Sequence, residues 1–465
     1  MFCALFVCGL WRADPAFAHA SEQGLVLLLP TSAYATAGTL TVIASILLVT
    51  YMPKQSLFKL FQGHNLGLRQ FAYGAGVPQA VSGLSSVILL ALVFVGIQGP
   101  TDPQNNLLPL TIWTVWWVGM FILQGTLFDV WRWVNPWTGI TALLDIGEKP
   151  LVRLPARLSA WPALGVFLAF QTFLLADVAP TDPHRLAVIV LGYWLFTLFG
   201  IVLFGREDWL ARGECFGVIF NLLSLLRPFQ GQGGLHLGAP GWFALRQKPL
   251  NASLAAFCIV LLAAGSFDGL HETFWWLALI GINPLEFPGR SAVVGTSTLG
   301  MAAAILLLVA VFSVSVWIGL KALKLRGSEE NIPFIKAFCM FSITLLPIAL
   351  GYHFSHYLVS FMVQIKYTLS TAADPMARGW NLFGLGAVKV TTGFLGRPET
   401  VKVIWLTQAT VVVLSHVVSV LMGHHVASKL CRDNKDVALL QVGLTCLMIA
   451  YTVFGLWLLA SPRGA

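Results

Sequence analysis

The sequence contains few charged residues and no long polar block. Charged side chains make up 10% of the 465 residues, whereas soluble globular proteins carry about 25%. Hydrophobic residues make up 57% of the chain, and the mean hydropathy is +0.78. This composition excludes an ordinary soluble enzyme and indicates an integral membrane protein.

Cysteines are also few. Two of the seven fall within the first eight residues, and the other five are scattered along the chain as Cys215, Cys258, Cys339, Cys431 and Cys446. An odd number without CxxC spacing indicates neither a disulfide framework nor a cysteine metal site.

The first twenty residues, "MFCALFVCGLWRADPAFAHA", resemble a secretory signal peptide. An apolar core, Phe2 to Trp11, precedes a small-x-small site at Ala16 to Ala18, although no Lys or Arg precedes the core. Cleavage after Ala18 would make His19 the first residue of the mature chain. Alternatively, the start of the chain differs from this one, or the segment stays attached as a short anchor.

Apolar runs long enough to cross about 30 Å of hydrocarbon as helices recur from end to end. The sequence therefore predicts an all-α fold, a polytopic transmembrane helix bundle, with a signal peptide at residues 1–18 and a single transmembrane domain at residues 19–465. We predict about ten spans, at residues 34–52, 81–98, 108–128, 161–177, 186–204, 251–267, 296–320, 337–358, 403–427 and 437–460.

The distribution of basic residues predicts how these spans are oriented. If the mature N-terminus lies outside, 19 of the 28 Lys and Arg residues fall in inner loops, eight on the outer side and one in the signal segment. This asymmetry follows the positive-inside rule and places both mature ends outside. The net charge of +8 then faces anionic lipid headgroups, so no nucleic-acid partner is expected.

Three histidines lie inside apolar spans. His353 and His356 are three residues apart in "LGYHFSHYLVSFMVQ", and His416 lies near the middle of the ninth span. Ionisable groups at membrane depth are costly and usually functional. We expect His353 and His356 to share one helical face in the outer half of the membrane.

Further polar residues follow the sixth span in "FDGLHETFWW". Asp268, His271 and Glu272 share one face if the helix continues, because they are spaced at i, i+3 and i+4. The predicted orientation brings them to the outer side, near the other histidines. Glu272 is equally consistent with a side chain that faces the outer water.

Imidazoles with a carboxylate suit a divalent metal ion, with Zn expected and Cu or Fe as alternatives. The alternatives for these histidines are hydrogen bonds between helices and, for His356 with His416, a pair of haem ligands. His424 and His425 are expected at the interface beside Lys429. The predicted metal ligands are His353, His356, His416, His271 and Asp268, and the predicted catalytic residues are Asp268 and Glu272.

The chain resembles the bacterial multi-span membrane proteins known as fenitrothion hydrolases, which cleave organophosphorus insecticides. The resemblance spans nearly the whole chain. It lies in "HASEQGLVLLLPT", "FDVWRWVNPW", "WLARGECFGVIFNLLSLLRPF", "SFDGLHETFWW", "YHFSHYLVSFMVQ", "DPMARGWNLFG" and "WLTQATVVVLSHVVSVLMGHHVASKL". The chain departs from the family in "GHHVASKL", because many relatives carry an acid near the second of these histidines. This difference makes His425 a weaker candidate for a site residue.

The resemblance implies a hydrolase of small, apolar organophosphorus triesters in the bacterial inner membrane, with its active site towards the periplasm. A metal ion would polarise the phosphoryl group and activate water, and aromatic residues would shape a pocket for the aryl leaving group. A second membrane subunit remains open. The alternatives are a transport or metal-handling protein that passes copper or protons through the same histidines, and a membrane subunit that supports a partner.

Overall fold

The computed structural model describes residue 26 and residues 29–68, 74, 76–231, 234–384 and 390–463. The predicted signal peptide and His19 lie outside the described residues. In chain order the helices are α1 (Thr31–Tyr51), α2 (Lys54–Leu60), α3 (Gly76–Gln98), α4 (Leu107–Thr126), α5 (Trp131–Val134), α6 (Thr138–Leu143), α7 (Trp161–Ala176), α8 (Pro183–Phe204), α9 (Arg206–Arg212), α10 (Cys215–Ser224), α11 (Ala252–His271), α12 (Phe274–Leu279), α13 (Val294–Arg326), α14 (Phe334–Ala373), α15 (Pro398–Leu430) and α16 (Asn434–Ala460).

Nine of the described helices are long and apolar enough to cross a membrane, namely α1, α3, α4, α8, α11, α13, α14, α15 and α16. The prediction of an all-α, multi-span membrane bundle is confirmed. The predicted span at 161–177 corresponds to α7, which has only 16 residues and is therefore about 24 Å long.

Helix ends follow local chemistry. The Asp182 carboxylate and the Asn251 amide oxygen cap α8 and α11 by accepting hydrogen bonds from Arg185 N and Leu254 N. Gly327 ends α13 in the left-handed conformation, with φ of +77°. Because α11 continues to His271, Asp268 lies within its last turn.

α11 and α14 form the centre of the bundle. In α11, 78% of the most apolar window is buried, and in α14 67%, whereas only 11% is buried in α1. A helix that is apolar on every side is expected to be buried on every side. The two central helices therefore carry their polar residues into the core.

Glycines allow some helices to pack closely. A Cβ at Gly319 of α13 would lie 2.0 Å from the Leu440 carbonyl oxygen of α16, and one at Gly443 would lie 2.2 Å from that of Ser315. Small residues at such contacts are typical of membrane helix pairs.

α4 departs from regular helix geometry. Its residues Leu110–Met120 form a π-helix, and such wide turns are frequent at functional sites. α14 includes a 3-10 turn at Ile343–Leu345. Other short 3-10 turns are Ala156–Leu158, Ala244–Arg246, Pro284–Glu286, Arg290–Ala292 and Gly393–Gly396.

A small antiparallel sheet covers one end of the bundle, which we call the sheet end. Its strands are β1 (His64–Asn65), β2 (Phe229–Gly231) and β3 (Leu235–Leu237), in the order β1-β3-β2. His64 pairs with Leu237. The sheet thus joins the segment after α2 to the segment after α10.

Candidate functional site

Asp268 and His356 form a buried pair where α11 packs against α14. Asp268 is 7% exposed and His356 is 9% exposed. Nε2 of His356 lies 3.2 Å from Oδ2 of Asp268, and the Tyr357 hydroxyl donates a hydrogen bond to the same oxygen. The Asp268 carboxylate is therefore held by an imidazole and a phenol from one neighbouring helix.

Two glycines one turn apart shape this contact. A Cβ at Gly269 would lie 1.8 Å from Oη of Tyr352, whereas one at Gly265 would lie 3.8 Å from the nearest Tyr352 atom. Gly269 therefore leaves the space that the Tyr352 hydroxyl occupies.

Nδ1 is the unpaired nitrogen of His356. Because Nε2 faces the carboxylate, the geometry assigns the proton to Nε2 and the lone pair to Nδ1. Nδ1 of His356 and Oη of Tyr352 are both buried without a hydrogen-bond partner among the described residues. The Cβ position of Gly269 lies 3.5 Å from that Nδ1 and 1.8 Å from that Oη, so the two atoms are at most about 5 Å apart.

This arrangement has a chemical consequence. An imidazole that is fixed by a carboxylate through one nitrogen and unpaired at the other is an oriented general base. The Tyr352 hydroxyl adds a hydrogen-bond donor nearby.

A small polar cavity adjoins the pair. Its volume is about 20 Å³, which is room for about one water molecule. The cavity also touches Trp117 of α4 and Gln171 of α7. Its remaining polar wall consists of Asp268, Tyr352, His353, His356 and Tyr357.

His353 lines the same cavity but is bonded elsewhere. Its Nε2 donates to the Trp117 carbonyl oxygen at 3.0 Å, within the π-helical part of α4. Its ring stacks on Phe121, with ring centroids 3.9 Å apart. His353 therefore fastens α14 to α4, in line with the interhelical alternative considered for this residue.

His416 is separate from the pair. Its Nδ1 donates to the Val412 carbonyl oxygen at 2.8 Å, and its Nε2 is buried without a partner in the described part of the chain. The ring lines a different cavity, of about 10 Å³, together with Tyr352 and Tyr451.

His271 and Glu272 end α11 beyond the pair. Nδ1 of His271 lies 2.6 Å from the Asp268 backbone oxygen. A carboxylate oxygen of Glu272 lies 4.0 Å from a guanidinium nitrogen of Arg463. Both residues line an open cavity of about 170 Å³, so Glu272 does not adjoin the Asp268–His356 contact.

The structure therefore does not gather the predicted ligands around one point. Among the described residues, no group of three His, Cys, Asp or Glu side chains is placed to hold a metal ion. A catalytic zinc ion takes three protein ligands, and the pair offers one unpaired nitrogen, at His356. The arrangement does not fit such an ion, and metal binding stays a prediction.

His424 and His425 differ from the expected interfacial residues, because they are only 6% and 4% exposed. Gln441 Nε2 lies 3.1 Å from Nδ1 of His424. His425 packs edge-on against Phe58 and Phe61. The rings of Phe58 and Phe61 therefore cover His425.

Sequence reasoning missed Tyr352, Tyr357 and Gly269. The only signal for the tyrosines was their position on either side of the histidines in "YHFSHY". A four-residue spacing of glycines, Gly265 and Gly269, was visible in "GSFDG" and is typical of close helix contacts.

A second buried acid, Glu214, lies in the loop before α10. Its carboxylate accepts hydrogen bonds from Phe216 N at 2.8 Å and Gly217 N at 2.5 Å, and it accepts another from the Tyr193 hydroxyl. Burial raises its pKa to about 7. These contacts make Glu214 the N-cap of α10.

A large aromatic cavity lies on the other face of α4. Its volume is about 670 Å³, within the range of about 300–1,000 Å³ for ligand pockets. Trp116 lines this cavity, whereas the next residue, Trp117, lines the polar cavity. The other aromatic rings of its wall are Trp113, Trp131, Trp137, Phe170, Phe173, Tyr193, Trp194, Phe216 and Phe361.

Comparison with protein-family models, with curated proteins and with solved structures gave no match for this chain. The class that the fold defines is a multi-span membrane helix bundle, and its candidate site is a buried Asp–His–Tyr cluster.

Proposed function

We propose that the protein is a membrane-embedded hydrolase of organophosphorus triesters that releases a phenol. The observation that carries this proposal is the His356 imidazole, which is held by Asp268 through Nε2 and whose buried Nδ1 has no partner among the described residues. The proposed catalytic residues are Asp268, His356 and Tyr352.

In the proposed reaction, Nδ1 of His356 accepts a proton from water as its oxygen bonds to phosphorus. Asp268 stabilises the imidazolium that forms, and the Tyr352 hydroxyl donates a hydrogen bond to the phosphoryl oxygen. The bond from phosphorus to the aryl oxygen breaks, and the proton passes from His356 to the phenolate.

The substrate class agrees with the surroundings of the pair. A triester is neutral and apolar, so it dissolves in the bilayer and needs no basic pocket. We propose that the aromatic cavity concentrates it beside α4. The polar cavity is too small for a triester, so the reaction requires side chains of its wall, such as Phe121 and Leu174, to move aside.

The direct test is phenol release from a dialkyl p-nitrophenyl phosphate by the purified protein. Wild-type protein should release p-nitrophenol, and His356→Ala should not. His425→Ala is the matched control, because this histidine is also buried but lies on α15, away from the Asp268–His356 pair. Equal release by wild-type protein and His356→Ala would refute the assignment of the base.

Metal dependence is tested on the same sample. Metal analysis of the purified wild-type protein, together with phenol release before and after chelation, asks whether a divalent ion is needed. The prediction from sequence is a stoichiometric zinc, copper or iron ion. A metal-free preparation with full activity would contradict that prediction and leave the His356 proposal standing.

We also propose ten crossings, with the sheet end in the cytoplasm and the Asp268–His356 pair in the outer half of the inner membrane. The pairing of β1 with β3 supports the count. Two paired strands lie on the same side of the membrane, so the chain between them must cross it an even number of times. The helices α3, α4, α7 and α8 would provide four crossings. The bonds from Lys54 Nζ to the Cys431 and Arg432 carbonyls support placing both loops at one end. Reporter fusions near Pro375 should be periplasmic and fusions after Lys435 cytoplasmic.

A second candidate function is the transport of protons or copper through the same histidines. The observation that favours protons is that His416 and His356 are both buried with one unpaired ring nitrogen each in the described structure. A supporting role for a second membrane subunit also stays a prediction. Co-purification of one stoichiometric membrane partner would test it.

A further inference from the structure

Three small cavities lie one after another along α14. The polar cavity is the first. The second, the middle cavity of about 10 Å³, is lined by His416, Tyr451 and Tyr352. The third, the sheet-end cavity of about 50 Å³, is lined by His424, Gln441 and Ser419. Each contains at least one histidine.

The first two cavities are separated by a single side chain. Tyr352 lines both of them, and its hydroxyl is unpaired among the described residues. On the far wall of the middle cavity, the hydroxyl groups of Tyr451 and Ser266 lie 2.5 Å apart. Tyr352 is thus the side chain that the two cavities share.

One apolar layer separates the middle cavity from the sheet-end cavity. On α15, Ser419 follows His416 by three residues, and on α16 Met448 precedes Tyr451 by three. Ser419 and Met448 line the sheet-end cavity, whereas His416 and Tyr451 line the middle cavity. Ser419 Oγ lies 3.5 Å from Met448 Sδ, so this contact closes the row.

The two ends of the row approach charged groups. Beyond Asp268, His271 and Glu272 line the open cavity at the end opposite the sheet, where Arg463 and Arg290 supply positive charge. At the sheet end, Lys54 acts electrostatically on His424 and Lys429 acts on the neighbouring His425. Titratable groups therefore continue to both ends of the bundle.

The unpaired atoms in the row need partners. Buried polar atoms are nearly always hydrogen-bonded to protein or water, and the polar and sheet-end cavities have room for roughly one and a few water molecules, respectively. His416 is only 1% exposed, yet its Nε2 has no partner within the described residues. Chains of His, Asp and water inside a membrane are typical of proton relays.

We propose that this row conducts protons through the bundle, from the open cavity at His271 through Asp268, His356, Tyr352 and His416 to His424, with the Ser419–Met448 contact as its barrier. Each step moves a proton between neighbouring polar groups, directly or through a water molecule, so no bond between heavy atoms breaks and no redox partner is needed. The proposal rests on the second candidate function, proton transport, for which it names the path, and it does not depend on triester hydrolysis.

The experiment measures proton flux into liposomes that contain the purified full chain and an internal pH-sensitive dye. A potassium gradient with valinomycin supplies the driving voltage. Wild-type protein should acidify the interior faster than protein-free liposomes do. His416→Phe should reduce the rate to that of protein-free liposomes, because phenylalanine fills the space and carries no proton.

Two further variants guard against a folding defect. His425→Phe, on the same helix but packed against Phe58 and Phe61 outside the row, should keep the wild-type rate. Met448→Ala should raise the rate, because a smaller side chain joins the middle and sheet-end cavities. Wild-type liposomes no faster than empty ones, an unchanged rate in His416→Phe, or no increase in Met448→Ala would each overturn the proposal.

Discussion

Two buried carboxylates in this bundle each accept a hydrogen bond from a tyrosine, yet their surroundings differ. Glu214 is bonded to Tyr193 and to two backbone N–H groups of α10. Asp268 is bonded to Tyr357 and faces the imidazole of His356. One acid caps the start of a helix, whereas the other is paired with a histidine of a neighbouring helix.

The comparison teaches that depth of burial alone does not separate a helix-capping acid from the acid of the proposed site. Glu214 is 1% exposed and Asp268 is 7% exposed, so the more deeply buried acid is the one that caps a helix. What distinguishes Asp268 is that the second ring nitrogen of its partner, His356, has no partner in the part of the chain that the structure describes. The carboxylate of Glu214, in contrast, is bonded to two backbone N–H groups and a tyrosine hydroxyl and orients no imidazole.

The largest expected effect separates the two acids by activity. Asp268→Asn should lower phenol release by about 10³–10⁴-fold, because an amide cannot stabilise the imidazolium and favours the wrong tautomer. Glu214→Gln should retain most of the activity. Initial rates at equal amounts of inserted protein provide the measurement, and similar losses in both variants would remove the distinction.

The second prediction separates the acids by pH. The folded pKa of Glu214, about 7, exceeds its ordinary value of 4.5, so folding favours the protonated form. Its contribution to stability is complete below pH 4.5 and is lost as the pH rises through 7, by about 3 kcal/mol in total. Thermal unfolding in detergent should show a smaller decrease from pH 5 to pH 8 in Glu214→Gln than in wild-type protein.

The third prediction tests the space beside His356. Gly269→Ala should destabilise the protein by about 1–3 kcal/mol through overpacking, since its Cβ would meet the Tyr352 hydroxyl at 1.8 Å. It should also lower phenol release. Gly265→Ala, one turn earlier, meets the same ring only at 3.8 Å and should be tolerated. Equal stability of the two variants in urea or heat would show that this contact relaxes freely.

The smallest effect concerns His353. His353→Phe keeps the ring that stacks on Phe121 but loses the hydrogen bond to the Trp117 carbonyl, which should cost about 0.6–2 kcal/mol. Phenol release should persist. The sequence alone predicts the opposite, loss of hydrolysis, because it treats His353 as a metal ligand. Activity of this variant beside inactive His356→Ala therefore decides between the two interpretations.

The fold was predictable because span-length apolar runs leave few alternatives to membrane helices. Each predicted span coincides with a helix, and Asp268 with His271 extends α11 as the spacing indicated. The π-helix in α4 was not predictable, since its apolar residues fit an ordinary helix equally well. It matters for the site because the Trp117 carbonyl within it accepts the His353 hydrogen bond.

The site was predictable only in part. Depth along a span follows from the sequence, so Asp268 and His356 were expected at one level. The rotation of each helix about its axis depends on packing, and this is why His416 faces the middle cavity instead of Asp268. The Tyr352 hydroxyl occupies space that Gly269 leaves on another helix. The two residues are more than 80 positions apart, so the sequence does not indicate their contact.

The sheet that joins β1 to β3 has a consequence for biosynthesis. β1 leaves the ribosome about 170 residues before its partner β3, a delay of roughly 10–30 s at ordinary rates of translation. With the ten crossings proposed above, α3, α4, α7 and α8 must all enter the membrane during that time, because an odd number of crossings would leave the two strands on opposite sides. The sheet therefore forms only on chains whose first half has been threaded correctly.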